Sequence, residues 1–160
     1  MDNDFHKKQI EKSFDYALVG IKRGGGPFGC IICDSSSGII VGKGHNMVPI
    51  HNDPTQHAEI VAIRDACHYY NNFDLSCCTL YTSCEPCPMC LGAIYWAKIN
   101  TIFYCNTRNE AKNIGFDDEF IYEEIKKPIE ERKVKMNKIN MENNLKIFQT
   151  WSEKADKISY

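Results

Sequence analysis

The first forty residues change from helical to strand-like spacing of apolar positions. Residues 4–22 place apolar side chains near every third or fourth position. These side chains are Phe5, Ile10, Phe14, Ala17, Leu18 and Ile21. Three glycines and a proline at 24–27 end the predicted helix. Two short apolar runs, 28–33 and 39–41, flank a turn-rich stretch at 34–38, which predicts a strand hairpin.

The remaining chain continues to alternate helices with strands. Asp53 and Pro54 supply an N-cap and a first-turn proline, so a helix is predicted from there to about His68. Further strands are predicted at 78–81, 102–104 and, as an exposed edge, 134–139; further helices are predicted at 87–97, 117–124 and 142–154. This alternation indicates one α/β layered domain whose later strands are largely parallel.

Composition narrows the class of protein. The 160 residues are 43% hydrophobic and 25% charged, which is ordinary for a globular domain. A net charge of -2 gives no global basic field, which argues against a long nucleic acid as partner. The acidic start and the lack of a long apolar run predict a cytoplasmic protein without a membrane partner. In a reducing compartment, the nine cysteines are expected to be core residues or metal ligands.

Three residues have the spacing of metal ligands. His57 lies near the start of one predicted helix, while Cys87 and Cys90 lie three apart at the start of another. Cysteines at this spacing share a helix face, and a helix N-terminus favours the thiolate. Two thiolates and a neutral imidazole would balance the charge of Zn²⁺ and leave a coordination position open. Glu59, two residues beyond His57, is then the candidate catalytic acid and base for a water at that position.

This arrangement favours hydrolytic deamination, with a structural metal site as the alternative. His-x-Glu followed by Pro-Cys-x-x-Cys is the signature of zinc-dependent nucleobase deaminases. Cys84 forms a second Cys-x-x-Cys pair with Cys87, so a closed site of four protein ligands in a non-enzymatic binding module is conceivable. Pro86 and Pro88 restrict the local backbone, and Cys84 is expected to end the preceding strand facing elsewhere.

Beyond these ligands, the chain resembles the bacterial guanine deaminases of the cytidine deaminase superfamily nearly end to end. The block at 81–97, the His-Ala-Glu at 57–59 and the Gly-Phe-Asp-Asp at 115–118 carry the resemblance. The stretches at 26–29, 52–55 and 128–132 and the final Tyr160 also fit. The metal motif by itself specifies the superfamily, whereas the residues after Cys90 and those at 115–118 point to guanine. The Lys- and Asn-rich stretch at 133–144 departs from the family pattern.

The resemblance implies a three-layer α/β/α fold with a five-stranded mixed sheet between helices. It also implies one zinc ion per subunit and a homodimer in which residues 116–160 of the single 1–160 domain are exchanged between subunits. Asn46 and Asp118 would then hydrogen-bond the purine base, and Phe28 would stack on it. Trp96 would line the partner's pocket, and Tyr160 would help to close it. Without the resemblance, the two aromatic side chains at 28 and 96 are more typical of core residues, and Asp118 of a helix cap.

The predicted activity is hydrolysis of guanine to xanthine and ammonia. A tRNA adenosine deaminase or a cytosine or cytidine deaminase would share the fold, the zinc and Glu59. The weak acidity of the chain, the Tyr95-Trp96 pair and the long C-terminal segment argue against the tRNA enzyme.

Overall fold

A four-stranded mixed sheet forms the centre of residues 1–119. The computed structural model describes every residue from Met1 to Tyr160, and the chain divides into two units at 119/120. The strands are β1 (Gly29–Asp34), β2 (Ile40–His45), β3 (Cys78–Cys84) and β4 (Thr101–Asn106), in the order β2-β1-β3-β4. The central strand β1 is antiparallel to both neighbours, and β3 and β4 are parallel. The hairpin and the parallel later pair are therefore as predicted.

The prediction of a fifth strand is wrong. Residues 134–139 form no strand, and Val134, Met136 and Ile139 are exposed. Alternation of apolar and polar residues produces a strand when a sheet edge supplies hydrogen-bond partners and one face is covered. The alternation in this stretch meets neither condition, since no strand pairs with it.

Helices cover both faces of the sheet in the first unit. They are α1 (Asn3–Lys22), α2 (Val48–His51), α3 (Ala58–Tyr70), α4 (Pro88–Trp96) and α5 (Arg108–Asn113). On one face, Phe5 and Ile10 of α1 pack with Ile31 and Tyr81 of the sheet. On the other face, α3 and α4 pack against the second, larger core. The three-layer α/β/α arrangement is thereby confirmed.

Small residues bring α3 close to β2. Ala58, Ala62 and Ala66 recur every four residues, so they share one face of α3, and all three are fully buried. A Cβ atom on Gly44 would lie 2.3 Å from the Ala58 carbonyl oxygen, and one on Gly42 would lie 2.4 Å from that of Ala62. The absence of side chains at both glycines therefore lets α3 lie close to the sheet. This close packing also sets the position of the residues in the first turn of α3.

The start of α3 differs from the prediction. The helix begins at Ala58, four residues after the proline of the expected first turn. The Asp53 carboxylate instead accepts hydrogen bonds from the Thr55 backbone N–H at 2.8 Å and its hydroxyl at 2.7 Å. This local turn competes with helix formation, because Asp and Asn side chains bond their own nearby backbone readily. The short helix α2 just before it was not predicted.

The C-terminal region contains two helices and a short 3₁₀ turn. Helix α6 (Glu119–Lys126) runs across the unit boundary, followed by the 3₁₀ turn (Ile129–Glu131) and α7 (Lys146–Glu153). Both helices were predicted: α6 starts two residues later than expected, and α7 is shorter at both ends. None of the helices is long and apolar enough to cross a membrane.

Candidate active site

Two helix N-termini converge at the predicted metal ligands. His57 is the N-cap residue of α3, and Cys87 is the N-cap residue of α4, with Cys90 in the first turn. Neither N-cap side chain forms a capping hydrogen bond with its own helix, so both remain available as ligands. The partial positive charge of two helix starts stabilises negative sulfur at this place.

The ligand atoms of His57, Cys87 and Cys90 form one cluster, all within 4.8 Å of one another. Cys87 Sγ lies 3.5 Å from His57 Nδ1. Zn–S and Zn–N bonds of about 2.3 and 2.1 Å at a tetrahedral angle separate neighbouring ligands by about 3.6 Å. The donor set and the distance between Cys87 and His57 therefore fit a zinc ion.

Hydrogen bonds within the cluster divide the two cysteines into a thiolate and a thiol. The Cys90 thiol and His57 both interact with the Cys87 sulfur, and they lower the pKa of Cys87 to about 4 despite its burial. The pKa of Cys90 is raised, first by its hydrogen bond to Cys87 and then by burial. The hydrogen bond to Cys87 also raises the pKa of His57. The lowered pKa favours the thiolate form of Cys87, which is the form that binds a cation.

Cys84, the possible fourth ligand, lies outside the cluster. Its Sγ contacts the Thr107 carbonyl oxygen at 3.7 Å, and burial raises its pKa to about 11. The structure therefore brings together the three-ligand arrangement and does not form the four-ligand site that was the alternative.

Glu59 lies beside the cluster, in the first turn of α3, and is 6% exposed. One carboxylate oxygen, Oε2, is 3.4 Å from Cys90 Sγ, and the other, Oε1, accepts a hydrogen bond of 3.2 Å from Thr82. Burial, and then the negative charge of Cys87, raise its pKa. A carboxyl group whose pKa is raised holds a proton at higher pH than an exposed one, which suits a group that must both accept and donate a proton.

A cavity of about 530 Å³ opens onto these residues. His57, Glu59 and Cys87 form part of its wall, and Phe28, Asn46 and Asp118 form another part. Six of the residues predicted for metal binding, proton transfer or substrate contact therefore line one pocket. The third predicted ligand, Cys90, is buried beside Cys87.

The other two predicted contacts lie elsewhere. Trp96 ends α4, is 67% exposed, and does not line the cavity. Tyr160 belongs to the second unit, where it is 73% exposed. Neither position tests the prediction that these side chains act in a partner subunit.

Four further residues near the site were given no role in the sequence analysis. Phe116 lines the cavity, with its ring edge-on to Phe28 at 4.9 Å between centroids. Glu85 and Arg108 also line it, while Thr82 bonds to Glu59 from the sheet. Phe116, Glu85 and Thr82 belong to stretches that carry the resemblance, which was the available signal. Arg108 lies outside those stretches, and the contact of Thr82 with Glu59 spans 23 positions, which no local pattern predicts.

Comparison with known proteins supports this geometry. Residues 3–106 match the sequence profile of the cytidine and deoxycytidylate deaminase zinc-binding region. The chain belongs to this deaminase family. The match contains all three ligands of the cluster and Glu59, so the zinc-binding character of the family and the observed His/Cys/Cys site agree.

Individual deaminases differ in how much of the chain they match. Guanine deaminase from Bacillus subtilis (strain 168) is 46% identical over 156 residues, covering 97% of this chain and 99% of its own. Its crystal structure superposes with a TM-score of 0.93 at 44% identity, over 100% of this chain and 99% of that one. The tRNA-specific adenosine deaminase of Haemophilus influenzae is 33% identical and covers 72% of this chain and 69% of its own.

A mutant of the structurally similar protein NE0047 has been solved in complex with 8-azaguanine. It covers 71% of this chain and 65% of its own, with a TM-score of 0.68 at 30% identity. The near full-length match to the Bacillus subtilis guanine deaminase confirms the predicted resemblance to the guanine deaminases.

Proposed function

We propose that this deaminase hydrolyses guanine to xanthine and ammonia. The similarity to the Bacillus subtilis guanine deaminase carries this proposal, because it extends through 97% of the chain. The zinc-binding region common to the wider family ends at residue 106. The match therefore includes the residues after 106, among them Asp118 and Phe116 of the pocket.

Asn46 is suited to donate hydrogen bonds to a purine. Its Oδ1 accepts from the backbone N–H groups of Gly26 and Val48, both at 3.2 Å. These two donors fix the orientation of the amide and leave its NH₂ group for the pocket. Guanine offers acceptors at O6 and N7, so the side chain complements that edge of the base.

Asp118 and Phe28 supply the other kinds of contact that a flat base needs. Burial raises the pKa of Asp118, but a carboxylate there accepts hydrogen bonds from both N1–H and the 2-amino group of guanine. Phe28, held edge-on by Phe116, presents an aromatic face for stacking. Together with Asn46, these residues complement the O6, N1–H and 2-amino groups of guanine. Adenine has no 2-amino group, and it has a donor in place of O6 and an acceptor at N1.

One zinc ion per chain would be held by His57, Cys87 and Cys90. When bound, zinc supplies Lewis-acid activation of the attacking water. Three protein ligands would leave one of the four usual zinc positions for water, and Glu59 lines the same cavity as His57 and Cys87.

Glu59 moves the protons of the reaction. It accepts a proton from the attacking water and delivers it to the ring nitrogen next to the carbon that carries the amino group. The water oxygen bonds to that carbon, and the resulting tetrahedral adduct loses its amine. Glu59 passes the second proton of the water to the departing amine, which leaves as ammonia. The carboxyl group thus returns to its starting state, and water and guanine become xanthine and ammonia.

Replacement of Glu59 by Gln should abolish turnover while the fold and metal site remain. The amide keeps the size of the side chain but transfers no proton, so kcat should fall by at least about 100- to 10,000-fold. Ammonia release from guanine measures kcat, and elemental analysis measures bound zinc. Near wild-type activity of the Glu59→Gln protein with full zinc content would contradict the mechanism. If the protein were a structural zinc module, the wild type itself would release no ammonia.

A substrate panel tests the choice of base. Zinc-loaded protein is incubated with guanine, adenine, cytosine, cytidine and a tRNA anticodon stem, and ammonia release is measured. We expect release from guanine with the highest kcat/KM. Release from the tRNA stem without release from guanine would identify the alternative enzyme, and that activity should decline steeply with salt.

The working form is proposed to be a cytoplasmic homodimer that exchanges residues 116–160. Apolar side chains of the second unit, including Phe148 and Trp151, are exposed, as are Tyr95 and Trp96 on α4. Exposed apolar groups in such number are typical of surfaces that bind another chain. Reduced Cys87 and Cys90 are needed to hold zinc, which favours a reducing compartment.

A further inference from the structure

Thr82 connects the middle of the sheet to the proton-transferring group. Its side chain is 1% exposed, and its hydroxyl donates to Glu59 Oε1 at 3.2 Å. The Gly29 carbonyl oxygen, at 3.5 Å, is a more distant acceptor for the same hydrogen. Because a hydroxyl has one hydrogen, the shorter contact to the carboxylate is the favoured one.

The backbone around Thr82 is held on both sides. Within the sheet, it pairs with Cys30 of β1 and with Tyr104 of β4. A threonine in a central strand also has few side-chain rotamers, because two groups branch at Cβ. The Thr82 hydroxyl is therefore a rigid donor. It belongs to strand β3, whereas Glu59 belongs to helix α3.

The Glu59 side chain has more conformational freedom than the threonine that bonds to it. A glutamate has several rotatable bonds, and ordering them costs conformational entropy. In this protein one oxygen is held by Thr82 and the other lies 3.4 Å from Cys90. Fixing Oε1 sets the plane of the carboxylate and hence the direction in which Oε2 faces the metal ligands.

We propose that Thr82 is a positioning residue for deamination, which holds the Glu59 carboxylate in the orientation that proton transfer requires. The inference rests on the proposed function of Glu59. Thr82 does not line the cavity, so it contributes little to substrate binding. Its removal should lower kcat and leave KM nearly unchanged.

The test replaces Thr82 by Val, which keeps the branched shape and removes the hydroxyl. We expect kcat for ammonia release from guanine to fall about 10- to 100-fold, the range seen when a partner that orients a catalytic group is lost. KM and zinc content should remain those of the wild type. Thr82→Ser keeps the hydroxyl and should restore most of kcat.

Thr79→Val is the matched control. Thr79 is also a buried threonine of β3, but its hydroxyl bonds to Ser35 instead of Glu59. Loss of this hydroxyl should reduce the free energy of unfolding without changing kcat. A second control places Thr82→Val in the Glu59→Gln background, where no further loss of residual activity is expected because the group being positioned is absent.

Two results would overturn the inference. One is a wild-type kcat in folded, zinc-loaded Thr82→Val protein. The other is an equal loss in the Val and Ser variants together with a raised KM, which would show a packing role. Absence of guanine turnover in the wild type would instead contradict the proposed function. The same variants would then be compared on whichever panel substrate is turned over, so the two failures remain distinguishable.

Discussion

Several buried polar side chains lie at or near the candidate site, and each has a partner. Asn46, Glu59, Thr82 and Ser83 are all buried, and no buried side-chain nitrogen or oxygen in the chain lacks a hydrogen bond. Burying an unpaired polar group costs several kcal/mol, so such groups persist where other groups satisfy them. At the scale of single residues, the pocket is therefore a prearranged set of donors and acceptors.

Asp118→Asn should impair recognition of guanine. The amide replaces one acceptor oxygen with a donor that opposes the N–H groups of the base. Loss of hydrogen bonds to a charged group, worth about 1.5–3 kcal/mol, predicts a fall in kcat/KM of about 10- to 150-fold. Steady-state kinetics on guanine measure the loss.

The neighbouring Asp117→Asn variant serves as control. The Asp117 carboxylate pairs with Lys112 at 3.3 Å and accepts from the Glu119 backbone N–H at 3.1 Å, so it is committed to local structure. Equal losses of kcat/KM in the two variants would argue against a direct substrate contact for Asp118.

At the scale of elements, the site depends on how α3 lies on the sheet. His57 and Glu59 are at the start of α3, while Cys87 and Cys90 are at the start of α4. The ligand cluster forms because both helix starts reach the same end of the sheet. Close packing of three alanines against two glycines fixes one of these helices.

Gly44→Ala should disturb this packing. The new methyl group would lie 2.3 Å from the Ala58 carbonyl oxygen and 2.7 Å from the Ala62 nitrogen, so α3 must shift. Overpacking of this kind destabilises by about 1–3 kcal/mol. A shift at the start of α3 should also weaken zinc binding, because His57 adjoins it. Denaturant unfolding of the metal-free protein and a zinc titration separate the two effects.

Lys43→Ala on the same strand is the control for Gly44→Ala. Lys43 is exposed, so its truncation should change the free energy of unfolding by less than about 0.5 kcal/mol. An unchanged unfolding free energy for Gly44→Ala would show that the close contact is relieved without cost.

At the scale of the whole molecule, many large apolar side chains remain uncovered. They include Tyr95 and Trp96 at the end of α4 and, in the second unit, Ile147, Phe148, Trp151 and Tyr160. Soluble monomers rarely expose so many without a binding partner. A second copy of the chain, exchanging its C-terminal segment, is the proposed partner.

Mixing two inactive variants tests this exchange. One carries Glu59→Gln, and the other carries Trp96→Ala together with Tyr160→Ala. If the partner supplies both aromatic residues, a mixed dimer contains one complete site. Random association makes half of the dimers mixed, so co-refolded chains should recover about a quarter of wild-type activity.

Activity no greater than the sum of the separate variants would contradict the exchange. Full activity of the Trp96→Ala, Tyr160→Ala protein by itself would contradict a role for these two residues.

Short-range features of this site were predictable from the residues alone. Cys87 and Cys90 share a helical turn, and Glu59 follows His57 by two positions, so their proximity depends on local backbone geometry. The hairpin, α1 and the parallel later strands also followed from periodicity and turn residues. Two errors, at the start of α3 and at 134–139, occurred where local preference competes with its surroundings, and the short helix α2 was missed.

The residues alone therefore indicated the α/β layering of the fold and the types of side chain in the metal cluster, and they made Glu59 the candidate for proton transfer. Folding is what brings His57 to Cys87 across 30 positions, turns Cys84 towards Thr107, and places Thr82 against Glu59. It also decided that the sheet has four strands. The physical reason is that periodicity records which face of an element is buried, whereas contacts between distant elements depend on packing and strand pairing, which no single segment encodes.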